Sequence, residues 1–229
     1  MAGDMTPENR RPTIAVVGGT GKEGKGLAYR WSKAGYAVII GSRSIEKAQE
    51  AVRELTNAMG RPVELTAANN LDAASRASIV MLTVPYGAHG DILASIKPAV
   101  QGKLLIDATV PLRAGKVTSV QRVASGSAAE EARNVLGEGV AVAAAFHTIS
   151  HEHLLSDEPV ECDVLVTGTS PEARAETLAL VEALGLRGWD AGPLENSSVS
   201  EGLTSLLIHI NKRYGSRHAG IRITGAGRR

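Results

Sequence analysis

The feature that most constrains how this chain can fold is a glycine-rich turn close to its N-terminus. Residues 13–17 are apolar and mostly β-branched, the next nine residues contain five glycines, and a helix-like segment follows. Gly19, Gly21 and Gly24 match the pattern Gly-x-Gly-x-x-Gly. Strand, glycine turn and helix in this order predict a dinucleotide site, because a pyrophosphate must approach backbone N–H groups at a helix N-terminus. The alternative is a glycine-rich turn that binds no ligand.

Composition excludes several other classes of protein. The chain has 229 residues, of which 43% are apolar, enough for one large or two small domains. The formal net charge of +1 gives no basic surface for nucleic acid, and no apolar run approaches the roughly 20 residues of a membrane span. The single cysteine, Cys162, excludes an intrachain disulfide and favours a reducing, cytoplasmic compartment. Residues 1–12 are polar and predict a disordered N-terminal extension rather than a signal peptide.

Strands and helices are predicted to alternate along most of the chain. Strands are expected at residues 13–17, 36–40, 63–66, 79–83, 104–107, 139–145 and 162–167. Helices are expected at residues 22–34, 45–59, 69–77, 127–136 and 170–184, with a last long helix from Ser198. This alternation predicts an α/β fold with a Rossmann-type doubly wound parallel sheet. We divide the chain into a first domain at residues 13–145 and a small C-terminal α/β domain at residues 146–229.

The turn after the second predicted strand indicates which dinucleotide is bound. An Asp or Glu at this place would accept hydrogen bonds from ribose hydroxyls and repel a 2′-phosphate. The chain instead has Ser42 and Arg43, a hydroxyl and a guanidinium that suit a phosphate, and Lys47 adds a second positive charge. The pattern favours NADP over NAD. The alternative is an exposed turn with ordinary basic residues.

The tripeptide Thr-Val-Pro occurs twice, at residues 83–85 and 109–111, each time just after a predicted strand. The carboxyl ends of parallel strands line the ligand crevice of such a sheet. Two prolines there would turn the chain rigidly beside a bound cofactor, although proline can also simply terminate a strand.

The last predicted helix has a start signal and an apolar stripe. Ser198 and Glu201 form the pattern of a capping box. The apolar residues repeat at helical spacing and are Val199, Leu203, Leu206, Leu207 and Ile210. The stripe predicts a helix that faces a core or a subunit interface, and we expect a homodimer.

Several separated segments, taken together, resemble one known family. The segments are Gly18 to Leu27, Gly41 to Arg43, Ala145 to Ile149, Cys162-Asp163, Asp190 to Leu194 and Glu201 to Ile208. In this order and at these separations they resemble the NADPH-dependent reductases of coenzyme F420, also called deazaflavin:NADP oxidoreductases. The resemblance covers about residues 13–215.

The resemblance implies hydride transfer directly between NADP(H) and the deazaflavin ring of F420, with no acid–base residue required. It assigns NADP to the first domain and the deazaflavin site to the C-terminal one. The implied NADP contacts are Gly19, Thr20, Gly21, Lys22, Glu23, Gly24, Ser42, Arg43 and Lys47, with Val84, Pro85 and Tyr86 beside the nicotinamide. The implied deazaflavin contacts are His147, Ile149 and Leu207.

Four other interpretations remain open from the residues themselves. His147, His151 and His153 have a spacing that could gather metal ligands, but no cysteine or acidic cluster accompanies them; we expect no metal. His147 could also be a buried histidine that the backbone satisfies. The chain could instead be an NADPH-dependent imine or ketone reductase, or an NADP-sensing module without catalysis.

Overall fold

The computed structural model describes residues 11–227, so the predicted extension at residues 1–12 lies almost wholly outside the described residues. One eight-stranded sheet has the strand order β3-β2-β1-β4-β5-β6-β7-β8. The strands are β1 (Ile14–Val17), β2 (Val38–Ser42), β3 (Leu65–Asn69), β4 (Ile79–Leu82), β5 (Leu104–Asp107), β6 (Ala141–Ala144), β7 (Asp163–Gly168) and β8 (Arg187–Pro193). All neighbouring strands pair in parallel except β6 with β7, which are antiparallel. The predicted α/β fold with a doubly wound parallel sheet is confirmed.

Helices cover both faces of this sheet. They are α1 (Lys22–Lys33), α2 (Ile45–Met59), α3 (Asn70–Arg76), α4 (Tyr86–Ile96), α5 (Ala128–Leu136), α6 (His151–Leu154), α7 (Pro171–Glu182) and α8 (Ser197–Tyr214). One apolar core packs α1, α2 and α7 against one face, and a second packs α3, α4 and α5 against the other. The central strands are buried on both faces, which explains why their sequences are continuously apolar.

Two expectations about the helices were wrong. Helix α4 was not predicted, because Pro85, Gly87 and Gly90 are residues that suggest a loop. The capping box of the last helix does not form: α8 begins at Ser197, one residue earlier than predicted. The side-chain carboxyl group of Glu201 instead accepts hydrogen bonds from the backbone N–H groups of Ala128 and Ala129, at 2.9 and 3.2 Å, and so caps helix α5.

The sheet runs on through the predicted boundary between residues 145 and 146. Strands β7 and β8 follow that boundary in sequence and extend the same sheet from β6. The tail after α8 also packs on β7, since Ile223 N donates to Asp163 Oδ2 at 2.8 Å. The division into two domains stays a prediction.

Within residues 11–227, no helix is long and apolar enough to cross a membrane.

Candidate active site

The glycines of the N-terminal turn serve two different purposes. A Cβ on Gly19 would lie 2.7 Å from Val16 O, and one on Gly24 would lie 2.7 Å from the Cα of Gly19. These two glycines therefore allow helix α1 to pack closely on strand β1. Gly21 has φ −72°, and an added Cβ would meet only Gly18 O, at 3.6 Å. Gly21 thus borders open space that a larger side chain would fill.

Two helix N-termini meet at this open space. Helix α1 has Gly21 as its N-cap and α4 has Pro85, and neither receives a hydrogen bond from a capping side chain. The first N–H groups of each helix are left for another acceptor, and a helix N-terminus favours an anion. Gly21 and Pro85 both line the two adjoining cavities described next. This arrangement fits a pyrophosphate.

The first cavity, of about 320 Å³, runs from the glycine turn to the end of strand β2. Ser42, Arg43 and Lys47 line its far end, together with Thr20 near the turn. Arg43 and Lys47 are exposed, and neither has an ion-pair partner within residues 11–227. Two free cations beside a hydroxyl and no acid form a site that suits a phosphate monoester.

The second cavity, of about 330 Å³, shares Gly21, Thr83, Val84 and Pro85 with the first. Its other walls come from distant parts of the chain. They are Lys22, Glu23 and Gly24 of α1, Ala108, Val110 and Leu112 after β5, His147, Ile149 and His151 after β6, and Thr204 of α8. The two cavities therefore adjoin along the first Thr-Val-Pro turn.

Burial shifts two ionisable side chains that line the second cavity, Glu23 and His147, toward their neutral forms. Burial, assisted by the charge of Asp107, raises the pKa of Glu23 to about 8. Burial lowers the pKa of His147 to about 4, although Asp107 opposes this shift. At neutral pH the Glu23 carboxyl holds a proton and the His147 imidazole is uncharged.

His147 is held by helix α8 and keeps one ring nitrogen free. Its backbone carbonyl accepts a hydrogen bond from Thr204 Oγ1 at 2.7 Å, and its Nδ1 lies 3.4 Å from Ser200 Oγ. Its buried Nε2 has no hydrogen-bond partner in the described part of the chain. An unpaired buried polar atom is costly, so a ligand that bonds to it would recover free energy.

The residue before His147 has a strained backbone. Phe146 has a φ of 72°, and it is the only non-glycine residue between positions 11 and 227 with a positive φ. Such a conformation costs on the order of 1–3 kcal/mol in a non-glycine residue. Phe146 is fixed by burial and by an edge-on contact with Trp31, with ring centroids 5.9 Å apart. The strain turns the chain at the end of β6 and delivers His147 to the cavity.

Most residues assigned to the site from sequence line one of the two cavities. These are Thr20, Gly21, Lys22, Glu23, Gly24, Ser42, Arg43, Lys47, Val84, Pro85, His147 and Ile149. Gly19 lies beneath the turn, and Leu207 is buried without lining either cavity. The Tyr86 hydroxyl donates to Glu131 Oε2 at 2.8 Å, and Tyr86 lines neither cavity. The described residues contain no group of three side chains that could hold a metal ion.

Sequence reasoning missed the buried pair His89 and Asp107, which lies behind the cavity wall. His89 Nε2 is 2.7 Å from Asp107 Oδ2, and both side chains are buried. The sequence did contain a sign of Asp107, because it is an acidic residue at the carboxyl end of an apolar strand. It contained no comparable sign of His89, because helix α4 was not predicted.

Comparison with known proteins gives full-length relatives from one family. Residues 13–111 match the family described as NADP oxidoreductase, coenzyme F420-dependent. F420-dependent NADP reductases from Methanothermobacter thermautotrophicus and Methanocaldococcus jannaschii are 46% and 38% identical to this chain. Both alignments span 92% of this chain, and they span 94% and 97% of the two relatives.

Solved structures show the same fold. The chain is similar to a candidate F420-dependent NADP reductase from Arthrobacter sp. FB24, with a TM-score of 0.79 at 20% identity over 93% of this chain and 100% of that chain. A variant of the imine reductase from Myxococcus stipitatus gives a TM-score of 0.58 at 20% identity, over 90% of this chain and 61% of that chain. The fold, the matched segment and the full-length relatives lead to one conclusion: the chain belongs to the F420-dependent NADP reductase family.

Proposed function

We propose that the protein transfers a hydride between NADP(H) and the deazaflavin coenzyme F420, directly from ring to ring. The observation that carries this proposal is the pair of cavities that adjoin along Thr83, Val84 and Pro85. Among the residues expected for NADP, the first cavity has Ser42, Arg43 and Lys47. Among those expected for the deazaflavin, the second cavity has His147 and Ile149. The full-length relatives, named F420-dependent NADP reductases, support the same pair of substrates.

NADP fits the first cavity by its charges. The uncapped N-termini of α1 and α4 would receive the pyrophosphate. Ser42, Arg43 and Lys47 would hold the 2′-phosphate that distinguishes NADP from NAD. The nicotinamide end would then lie against the shared turn, where Val84 and Pro85 present apolar surface.

The deazaflavin fits the second cavity by its shape and polarity. Ile149, Val110 and Leu112 supply apolar surface for a planar ring. The free Nε2 of His147 would bond to a polar edge of the ring. Because His147 is neutral, it adds no fixed charge next to the reacting rings.

When bound, the two ligands supply the hydride chemistry themselves. The protein's part is to hold the rings in contact, with the reacting carbons about 3–3.5 Å apart. The shared turn would support one side of this contact, and Ile149 and His147 would support the other. No nucleophile or acid–base residue is assigned a step.

An imine or ketone reductase is the alternative, and it is not favoured. The match to the imine reductase structure covers only 61% of the imine reductase chain. The full-length relatives at 38–46% identity carry the F420-dependent name instead.

We also propose that the protein works as a homodimer in the cytoplasm. Val199, Leu206, Ile210 and Tyr214 lie on one stripe of α8 and are exposed, which is unusual for large apolar side chains on one helix face. A second copy of the chain would cover this stripe. Light scattering coupled to size-exclusion chromatography tests the oligomeric state. We expect a dimer for the native chain and a monomer for Leu206→Lys. A native monomer would contradict the proposal.

The test of the function is an absorbance assay with purified protein. We expect NADPH to bleach the oxidised deazaflavin, and NADH to do so far more slowly. Bleaching only by NADH, or none by either nucleotide, would contradict the proposal. Reduction of a cyclic imine by NADPH without deazaflavin would favour the alternative.

A further inference from the structure

We propose that the buried pair His89–Asp107 is a positioning device that holds the two Thr-Val-Pro turns in the arrangement needed for hydride transfer. The inference rests on the proposed function and assigns a role to two residues that line neither cavity.

The two turns start side by side. Strands β4 and β5 pair in parallel with Leu82 opposite Asp107, so the segments that follow them leave the sheet together. The turn after β4 forms the wall that both cavities share. The turn after β5 supplies Ala108 and Val110 to the second cavity. Any relative shift of these turns would move one ligand against the other.

The carboxylate of Asp107 ties the turns to each other. Its Oδ1 accepts a hydrogen bond from Thr109 N at 2.8 Å, within the second turn. Its Oδ2 lies 2.7 Å from Nε2 of His89. Helix α4 begins directly after Pro85 of the first Thr-Val-Pro turn, and His89 lies in the first turn of this helix. One carboxylate thus joins both walls of the second cavity.

A further contact joins the turns without passing through Asp107. Thr109 Oγ1 donates to Val84 O at 3.4 Å, which is long for a hydrogen bond. This weaker contact leaves the Asp107 carboxylate as the main side-chain connection between the turns.

The far side of His89 is also constrained. Its Nδ1 lies 3.7 Å from Glu131 Oε1, and the Tyr86 ring stacks on the imidazole with centroids 6.0 Å apart. Burial acts to lower the pKa of His89, but the hydrogen bond and charge of Asp107, followed by Glu131, outweigh it and raise that pKa. The contact with Asp107 therefore favours the protonated form of the His89 imidazole.

Stability alone does not account for this pair. A buried ion pair recovers little more than its desolvation cost, and well-packed apolar residues often stabilise a core at least as well. What the pair adds is a fixed geometry. Fixed geometry matters at this place, because a displacement of about 1 Å at a reacting pair can cost about 100-fold in rate.

The experiment compares binding with transfer in the full-length protein. For His89→Leu we expect the dissociation constants of NADPH and of the deazaflavin, each measured alone, to stay near those of the native protein. We expect the single-turnover rate of deazaflavin reduction to fall by about tenfold or more, since misplacement acts on the transfer step. His89→Gln keeps one N–H donor for Asp107 and should recover part of the rate.

A matched pair of aspartates separates positioning from plain structure. Asp163, the first residue of strand β7, is also buried and accepts a hydrogen bond from Trp189 Nε1 at 2.7 Å, but it lines neither cavity. Asp107→Asn should slow transfer, whereas Asp163→Asn should lower only the melting temperature. If His89→Leu does not fold, Asp107→Asn still tests whether the pair affects the transfer rate.

Two outcomes would overturn the inference. One is a native transfer rate in folded His89→Leu or Asp107→Asn protein. The other is a loss of rate that is matched by an equal loss of ligand binding. Failure of the native protein to reduce the deazaflavin would count against the proposed function instead.

Discussion

The two cavities differ in how the chain builds them. The first is built within residues 18–92, from strand ends and helix starts that follow one another closely in sequence. The second combines the start of α1, residues 108–112, residues 147–151 and Thr204 of α8. On the proposed assignment, the site for NADP depends on local chain geometry, whereas the site for the second substrate depends on packing between distant segments. This difference predicts that changes in the first cavity act on nucleotide binding, and that changes in the second spare it.

The largest effect is expected from Gly21→Val, because Gly21 borders both cavities. The valine would occupy the open space in front of the α1 N-terminus, where the pyrophosphate is proposed to lie. We expect NADPH affinity in calorimetry to fall by more than about 100-fold, equivalent to about 2.7 kcal/mol.

Gly21→Ala serves as the control. Its Cβ would lie 3.6 Å from the nearest neighbouring atom, Gly18 O, and the backbone φ of −72° at this position suits any residue. This variant should fold normally and bind more tightly than the valine variant. Normal NADPH affinity in folded Gly21→Val would mean that the phosphates lie elsewhere.

Arg43→Ala should change which nucleotide is used. A hydrogen bond to a charged group contributes about 1.5–3 kcal/mol, so the KM for NADPH should rise roughly 10- to 100-fold. The KM for NADH should stay nearly constant, because NADH has no 2′-phosphate. Arg53→Ala is the matched control, since Arg53 is an exposed arginine of α2 that lines neither cavity. An unchanged ratio of the two KM values in Arg43→Ala would contradict the assignment of Arg43.

His147→Ala should act on the second substrate alone. Loss of a neutral hydrogen bond costs about 0.5–1.5 kcal/mol, so deazaflavin affinity should fall a few-fold to about tenfold. NADPH binding should remain, since His147 lines only the second cavity.

Two conservative variants locate the contact on the imidazole ring. His147→Gln places an amide near the position of Nε2, and His147→Asn places one near Nδ1. Only the Gln variant should restore deazaflavin binding. If His147→Ala lowers the melting temperature and leaves binding and kinetics intact, His147 is a structural histidine.

Glu201→Gln should change how stability depends on pH, because Glu201 holds α8, and with it Thr204, against α5. Burial raises the pKa of Glu201 from 4.5 to about 8, although the two backbone N–H donors oppose this. The folded state therefore keeps a proton that the unfolded chain releases above pH 4.5.

The native protein should consequently lose stability as pH rises from about 4.5 to about 8, by at most about 1.4 kcal/mol per pH unit from this one group. Urea unfolding at several pH values measures the slope. Glu201→Gln should lack this component, and Glu161→Gln, at an exposed position, should keep it. Equal slopes in Glu201→Gln and the native protein would contradict this account.

The same contrast explains what could be predicted from sequence. The glycine turn, Ser42, Arg43 and the bounds of α2 follow from local rules, because turn, cap and charge patterns need only neighbouring residues. Glu201 was assigned to a cap on its own helix, but its partners lie more than 70 residues earlier in the chain. The pairing of His89 with Asp107 was equally invisible, since it depends on how α4 packs on β5. The position of Tyr86 beside the nicotinamide stays a prediction, and the bond from its hydroxyl to Glu131 on α5 could not be predicted from neighbouring residues.

The most direct test of the central claim follows the hydride itself. NADPH that carries deuterium at the transferable position of its nicotinamide is mixed with protein and oxidised deazaflavin, and the products are examined by mass spectrometry and NMR. If the two cavities hold the two rings in contact, the label appears in the reduced deazaflavin, and the transfer rate shows a primary isotope effect. Label that appears in the solvent, or a deazaflavin reduced without label, would contradict direct transfer between the two cavities.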